Sequence, residues 1–153
     1  MTEKAPESAP RTGSTVPADI ASLIGRLAVG SVFIAHGLPK ATDPQGAAQD
    51  FAALGVPFPG PSALLGAAVE VGGGLALIIG LALPLAGLAL ALMMAGAYYF
   101  AHVGAPLVGG YELLLVLGAS ALALGFTGGR YSLDGLLPWG RPGRSGAARA
   151  AAA

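Results

Sequence analysis

Six side chains in this sequence combine chemistry-bearing groups with strongly apolar surroundings: Arg26, His36, Glu70, Tyr98, His102 and Glu112. A carboxylate beside imidazoles can relay protons or grip a polar headgroup, because histidine titrates near neutrality and partial burial raises a carboxyl. That chemistry is open to His36, His102 and Glu112, with Tyr98 four residues before His102. The first two of these and Glu112 are also nitrogen and oxygen ligands of the type metals take, and two histidines on separate helices are the ligand type of a haem. Their spacing matches no metal or haem motif, so no metal site is assigned. Arg26 and Glu70 point to a charge-assisted pair, read either as the anchor of a site or as a device that fixes helix packing; Arg26 alone reaching a headgroup is the third option. Cysteine is absent, which excludes disulfides, thiolate ligation and a thiol relay within the chain.

The elements that position these groups follow from the distribution of charge. Of the 153 residues 54% are apolar and 10% charged, and eight Lys plus Arg balance eight Asp plus Glu. A net charge of zero offers no field to attract nucleic acid, and no such partner is expected. From Ala41 to Gly129 there is no Lys or Arg, and between Phe51 and Gly129 only Glu70 and Glu112 carry a formal charge. About 20 residues of helix cross a 30 Å hydrocarbon core, so this stretch is long enough for several crossings. The pattern predicts an all-α, integral membrane four-helix bundle with spans over about residues 20–39, 62–80, 84–102 and 108–126. A three-span count would fuse residues 71–101, but Pro84 falls inside that stretch and suits the first turn of a new helix. The fourth span opens with VGGYE, two glycines and a carboxylate ahead of a continuous apolar run.

Residues 40–61 form a long loop whose AAQDFAALG piece predicts a short interfacial helix or a lid. The polar, Pro-rich residues 1–18 and the basic residues 140–153 read as tails flanking a transmembrane domain over 19–139. Lys4, Arg11 and Arg26 precede or open the first span, and Arg130, Arg141, Arg144 and Arg149 follow the last. An even number of spans puts both groups on one face, which the bias of basic residues makes cytoplasmic; Lys40 is the main residue against it.

An ionisable group at membrane depth costs roughly 2.5 to 3.5 kcal/mol on insertion scales, so it faces protein, pairs or does chemistry. On the first span Arg26, Gly30, Phe33, Gly37 and Lys40 share a face, with His36 on its flank. Gly66, Glu70 and Gly74, spaced by four, offer a matching small-residue surface on the second. Counting from the span ends sets Arg26 and Glu70 about 6 Å apart in depth, within reach of an arginine.

Several segments together resemble the DoxX family of small bacterial membrane proteins. They are IGRLAVGSVFIAHGLPKA, DFAALGVPFP, AAVEVGGGLALIIGL, GGYELLLVLGASALALGF and GGRYSLDGLLP, covering most of residues 23–138. Where the family carries GPG before its last signature, this chain has GFTGG. The resemblance implies a four-helix protein of the bacterial inner membrane, with a polar pattern at Arg26, His36, Gly37, Lys40, Glu70, Tyr111 and Glu112. It also implies a terminal signature from Gly129 to Asp134, and association with quinone-linked or stress-related oxidoreductase systems.

Three functions fit these residues. The first is a membrane subunit of an oxidoreductase that binds a quinone or similar amphipathic molecule, with His36 and Glu112 exchanging protons and Arg26 and Glu70 holding the wall. Electrons then need a soluble or membrane partner enzyme, since the chain carries no cluster-ligating cysteine and no flavin-binding motif. The second is an assembly protein that docks a soluble redox enzyme through Arg130 to Asp134 and the tails. The third is a small-molecule carrier, for which a homo-oligomer would supply volume that four spans lack.

Overall fold

The computed structural model describes residues 16–137. The tails expected at residues 1–18 and 140–153 lie outside the described residues, apart from residues 16–18, which are helical. In chain order the elements are α1 (Val16–Thr42), α2 (Pro44–Ala53), α3 (Pro59–Ile79), α4 (Leu83–Ala97) and α5 (Glu112–Phe126). A π-helical turn, Tyr98–His102, continues α4, and a second segment, Leu107–Tyr111, leads into α5. A single 3₁₀ turn, Leu133–Leu136, follows. Among the described residues there is no strand.

Four of these stretches, Val16–Thr42, Pro59–Ile79, Leu83–His102 and Leu107–Phe126, are long and apolar enough to cross a membrane. Large apolar side chains such as Ile24, Leu65, Leu85, Leu92 and Val116 are exposed around their outer faces. A helix that is apolar on all sides is one solvated by lipid rather than water. The expected spans are therefore all present. The loop expected to hold a short interfacial helix or a lid contains the short helix α2, opened by Pro44 and capped where the Asp43 carboxylate accepts from the Gly46 N–H at 2.9 Å. The irregular entry predicted from VGGYE is also seen: Val108 and Gly109 leave helical geometry, Gly109 at φ 77°, before α5 resumes at Glu112.

Helices in lipid gain little by merely touching, so association depends on close backbone contact. Two glycine seams supply it. Between α1 and α3, a Cβ placed on Gly74 would lie 2.8 Å from the Gly30 carbonyl oxygen, and one on Gly37 would lie 2.8 Å from the Glu70 Cβ. Between α4 and α5, a Cβ on Gly125 would lie 2.9 Å from the Leu83 carbonyl oxygen, and Gly87 meets Gly125 in the same way. The two pairs join through α3 and α4, whose buried Leu77 and Leu90 belong to one core with Phe33, Leu83, Met94, Leu117 and Ala121.

Substitutions along α3 separate seam from lipid face. Gly74→Val forces two backbones apart and is expected to cost about 1 to 3 kcal/mol of stability in detergent. Gly72→Ala, with nothing near its Cβ, should be neutral or gain up to about 1 kcal/mol from helix propensity. Denaturant unfolding followed by circular dichroism reads both.

Candidate functional site

Glu70 is the twelfth of the 21 residues of α3, about 15 Å from either end of that helix. Its side chain is almost wholly buried, and its Oε2 accepts from Lys40 Nζ at 2.6 Å. The Lys40 ammonium also donates to the His36 carbonyl oxygen at 3.0 Å. The Gly37 approach to Glu70 explains the geometry: one turn beyond it, the lysine stem leaves α1 facing α3 and needs only to bend back to the carboxylate. Burying a carboxylate in mid-membrane without such a partner would be severely unfavourable.

The proposed Arg26 to Glu70 pair does not form. Arg26 is fully buried, but its Nη2 donates to the Tyr131 carbonyl oxygen at 2.7 Å, and its Nη1 lies against Gly80. Counting depth from the span ends is what failed: Gly80 is level with Arg26, so α1 runs about ten residues past the end of α3. From the Gly30 to Gly74 contact, Arg26 lies four residues one way and Glu70 four the other, a separation of about 12 Å rather than 6 Å. The overhanging first turns of α1 are covered instead by the segment after α5. Ser22 Oγ donates to the Thr127 carbonyl at 2.7 Å, and the Arg130 N–H donates to the Asp19 carboxylate at 3.1 Å. The Asp134 carboxylate accepts from the N–H groups of both Ala82 and Leu83 at 2.8 Å, capping α4. Gly80, at φ 74°, makes room for this turn, since a Cβ there would lie 2.6 Å from the Ser132 Cα.

A cleft of about 310 Å³ opens between α1 and α5 on the side of the bundle that carries α2. Its polar wall is His36, Lys40, Glu70 and His102; Phe33, Met94, Leu113, Leu114 and Leu117 form the apolar one. The His102 ring lies with Nδ1 3.4 Å from the Ala97 carbonyl oxygen, in the π-helical turn that ends the third span. The sequence-predicted residues thus divide. His36, Glu70 and His102 are brought together, joined by Lys40. Arg26 belongs to the opposite end of the bundle. Glu112 is exposed in the first turn of α5, outside the lining of the cleft, where a carboxylate suits the helix N-terminus. Tyr98 packs edge-on to Tyr111, ring centroids 4.9 Å apart, and lines a different, apolar groove between α4 and α5. Among the described residues no three His, Asp or Glu side chains gather to hold a metal ion.

The roles missed by sequence reasoning are those of Lys40 as counter-ion to Glu70, and of Asp19 and Asp134 as receivers of backbone N–H groups. Lys40 was legible in principle, because it closes the same α1 face as Gly30 and Gly37; that register, and not the span ends, carries the depth information.

A family model described as DoxX matches residues 21–103, more than half of the chain. The chain belongs to the DoxX family. It is a multi-pass membrane protein of the small inner-membrane type, and the matched segment contains Arg26, His36, Lys40, Glu70, Tyr98 and His102. It is also similar to a protein of Bacillus subtilis (strain 168) named "Putative oxidoreductase CatD", with 33% identity over 113 residues, 74% of this chain and 83% of that protein. No solved structure matches.

Lys40→Met leaves the Glu70 carboxylate unpaired in the bilayer interior and is expected to destabilise the protein by about 3 kcal/mol. Glu70→Gln should cost less, because the part-exposed lysine can turn toward water, and the double variant should recover much of the loss; a double-mutant cycle in unfolding free energy checks this. At the other end of the bundle, Asp134→Ala removes the α4 cap and should cost about 1 kcal/mol in the same assay.

Proposed function

We propose that this protein is the membrane subunit of an oxidoreductase system, and that the cleft between α1 and α5 binds the ring of a quinone or a similar amphipathic molecule. The observation that carries this reading is the composition of the cleft. Its volume of about 310 Å³ lies at the lower end of the range of roughly 300 to 1,000 Å³ for small-molecule sites. One wall offers two imidazoles and a lysine–carboxylate pair to the polar edge of a ring, while the leucines of α5 face its apolar surface. A cleft between two spans also gives an apolar tail a way out into lipid. When bound, a quinone would supply coupled electron and proton exchange.

The chain's own residues would bind and orient. His36 and His102 each carry a ring nitrogen able to donate or accept at a ring oxygen, depending on tautomer. Lys40 and Glu70 present an ion pair to the cleft, and Phe33 and Leu117 add to its apolar lining. Glu112, one residue before the lining Leu113, stands outside the lining, where it would meet water rather than the ring. The partner that exchanges electrons is a separate oxidoreductase, in keeping with the similarity to a protein named as one. In the bilayer, the ends of α1 and α5 that meet through Ser22 and Thr127 face the cytoplasm, on the bias of basic residues toward that side.

A docking role has one observation in its favour. The turn after α5 is braced by hydrogen bonds to α1 and α4, yet presents Tyr131, Leu133 and Leu136 outward as a fixed apolar patch. If docking were the whole function, partner capture in mild detergent would fail on Leu136→Asp while quinone-analogue binding would be absent in every variant.

Binding of a water-soluble, short-tailed quinone analogue to the detergent-solubilised protein tests the main reading. Titration calorimetry should show saturable binding, weakened about tenfold by His36→Ala or by His102→Ala as one hydrogen bond to the ring is lost. Absence of binding to the native protein, or affinities that both substitutions leave unchanged, would overturn it.

A further inference from the structure

Lys40 stands where three spaces meet. It lines the α1/α5 cleft, and a second cavity of about 280 Å³ beneath α2, walled by Phe51, Leu65, Met93 and Phe100. It also lines an outer groove of about 470 Å³ between the end of α1 and α2, together with Asp43, Gln49 and Asp50. Glu70 lines the two inner spaces and not the outer groove. Lys40 is the residue that the groove shares with the α1/α5 cleft, and the polar one of the three, with Phe51 and Leu54, that it shares with the cavity beneath α2.

Lys40 also has two sets of carboxylates within its surroundings. Inside is Glu70, which it holds at 2.6 Å. Outside are Asp43, which caps α2 and accepts from the Gly46 N–H, and Asp50 on α2, both exposed and both lining the groove. The other titratable groups facing the pair are His36 from α1 and His102 from the end of α4; α5 contributes only leucines to the cleft. In the inner seat the lysine is held by the ion pair to Glu70 and by its hydrogen bond to the His36 carbonyl oxygen. A neutral Glu70 offers a hydrogen bond in place of an ion pair, and a long flexible ammonium stem then gains by turning its head to the wet groove.

We propose that Lys40 and Glu70 form a gated proton-exchange site that connects the α1/α5 cleft with the membrane face carrying α2. Glu70 takes one proton from the cleft and becomes neutral. Lys40, keeping its own charge, swings to Asp50, and water entering from the outer groove removes that proton from Glu70. The carboxylate so restored draws Lys40 back. One proton enters and one leaves, only O–H bonds are made and broken, and no electron moves. The proposal rests on the reading of the cleft as a ligand site only for the source of the proton.

Because the chain has no cysteine, Ala97→Cys, whose position lines both inner cavities, supplies a single thiol behind the gate. Its labelling by a membrane-impermeant methanethiosulfonate is followed in lipid vesicles of known protein orientation, at one fixed pH. With Glu70 present, labelling from the α2 side should be slow; Glu70→Gln should speed it at least about tenfold, the equivalent of 1.4 kcal/mol in gate position. Adding Asp50→Asn to Glu70→Gln removes the outer seat and should slow it again. Equal labelling rates with and without the Glu70→Gln substitution would overturn the proposal, as would acceleration that appears equally from both membrane sides, the sign of general loosening. Infrared difference spectra on acidification provide a second test that needs no thiol: a protonated-carboxyl band should appear and be lost in Glu70→Gln, and its absence at every pH tested would sink the idea. Quinone-analogue titrations on the same preparations distinguish the two readings: a fixed gate with intact binding refutes only the proton path, and a working gate without binding refutes only the ligand.

Discussion

The bundle depends on the contact of bare backbone with bare backbone at Gly30 and Gly74 and at Gly87 and Gly125. Lipid tails are as apolar as leucine, so burial of side chains alone does not hold spans together, and the short-range attraction of closely fitted surfaces has to. This constraint also decides the chemistry. With Gly30 seated on Gly74, Gly37 falls against Glu70, and the carboxylate has nowhere to point but inward. Lys40, the next basic group along the same face, is then the counter-ion within reach. The charged centre of the molecule is a consequence of where glycine permits two helices to meet.

Arg26 meets the same constraint by different means. It is buried at the level of the last turn of α3, and it reaches no carboxylate of that helix; its Nη2 donates instead to the Tyr131 carbonyl, in a turn that arrives from the far end of the chain. That turn also gives Asp134 to the unsatisfied N–H groups at the start of α4, including that of Ala82, which sits in left-handed geometry at φ 47°. The residues from Gly129 to Asp134 thus act as a plug closing the ends of α1 and α4, with Gly80 left small to admit it. The Tyr131 carbonyl, the Ser132 hydroxyl and the Asp134 carboxylate are directed into the protein while the Arg130 side chain is exposed, so the inward groups have a structural purpose independent of any partner.

Much of this architecture was legible in the sequence. The exclusion of charge from the middle of the chain pointed to the four spans, Pro84 separated the second from the third, and the spacing of Gly66, Glu70 and Gly74 identified the face of α3 that is buried. The face of α1 was equally plain: Arg26, Gly30, Phe33 and Gly37 are all buried. What periodicity does not contain is the sliding register between two helices. A rotation of one residue changes a face, but a slide of four residues changes only which levels meet, and the pattern of small residues on α1 and α3 tolerates more than one. The partner of Glu70 was misread for that reason. Nor does periodicity report where the chain goes after its last span, so the inward roles of Asp134 and the Tyr131 carbonyl, which depend on contacts more than 50 residues apart, had no local signal.

The location of the cleft follows from the same pairing. α1 is committed to α3 and α5 to α4, and the two pairs are joined at one edge through α3 and α4. The remaining edge, α1 against α5, is drawn together near the chain ends, by the Ser22 bond to Thr127 and by Gly25 lying under Leu124. Toward α2, nothing comparable among the described residues bridges it. There the third span widens into its π-helical turn and α5 starts late after the break at Val108 and Gly109, so two imidazoles and the Lys40–Glu70 pair border an opening rather than a packed core. π-helical turns occur frequently at functional sites, and a buried ion pair is often less favourable than a well-packed apolar alternative. Their coincidence at this unsealed edge of the bundle is what supports the proposed ligand cleft over the apolar groove between α4 and α5.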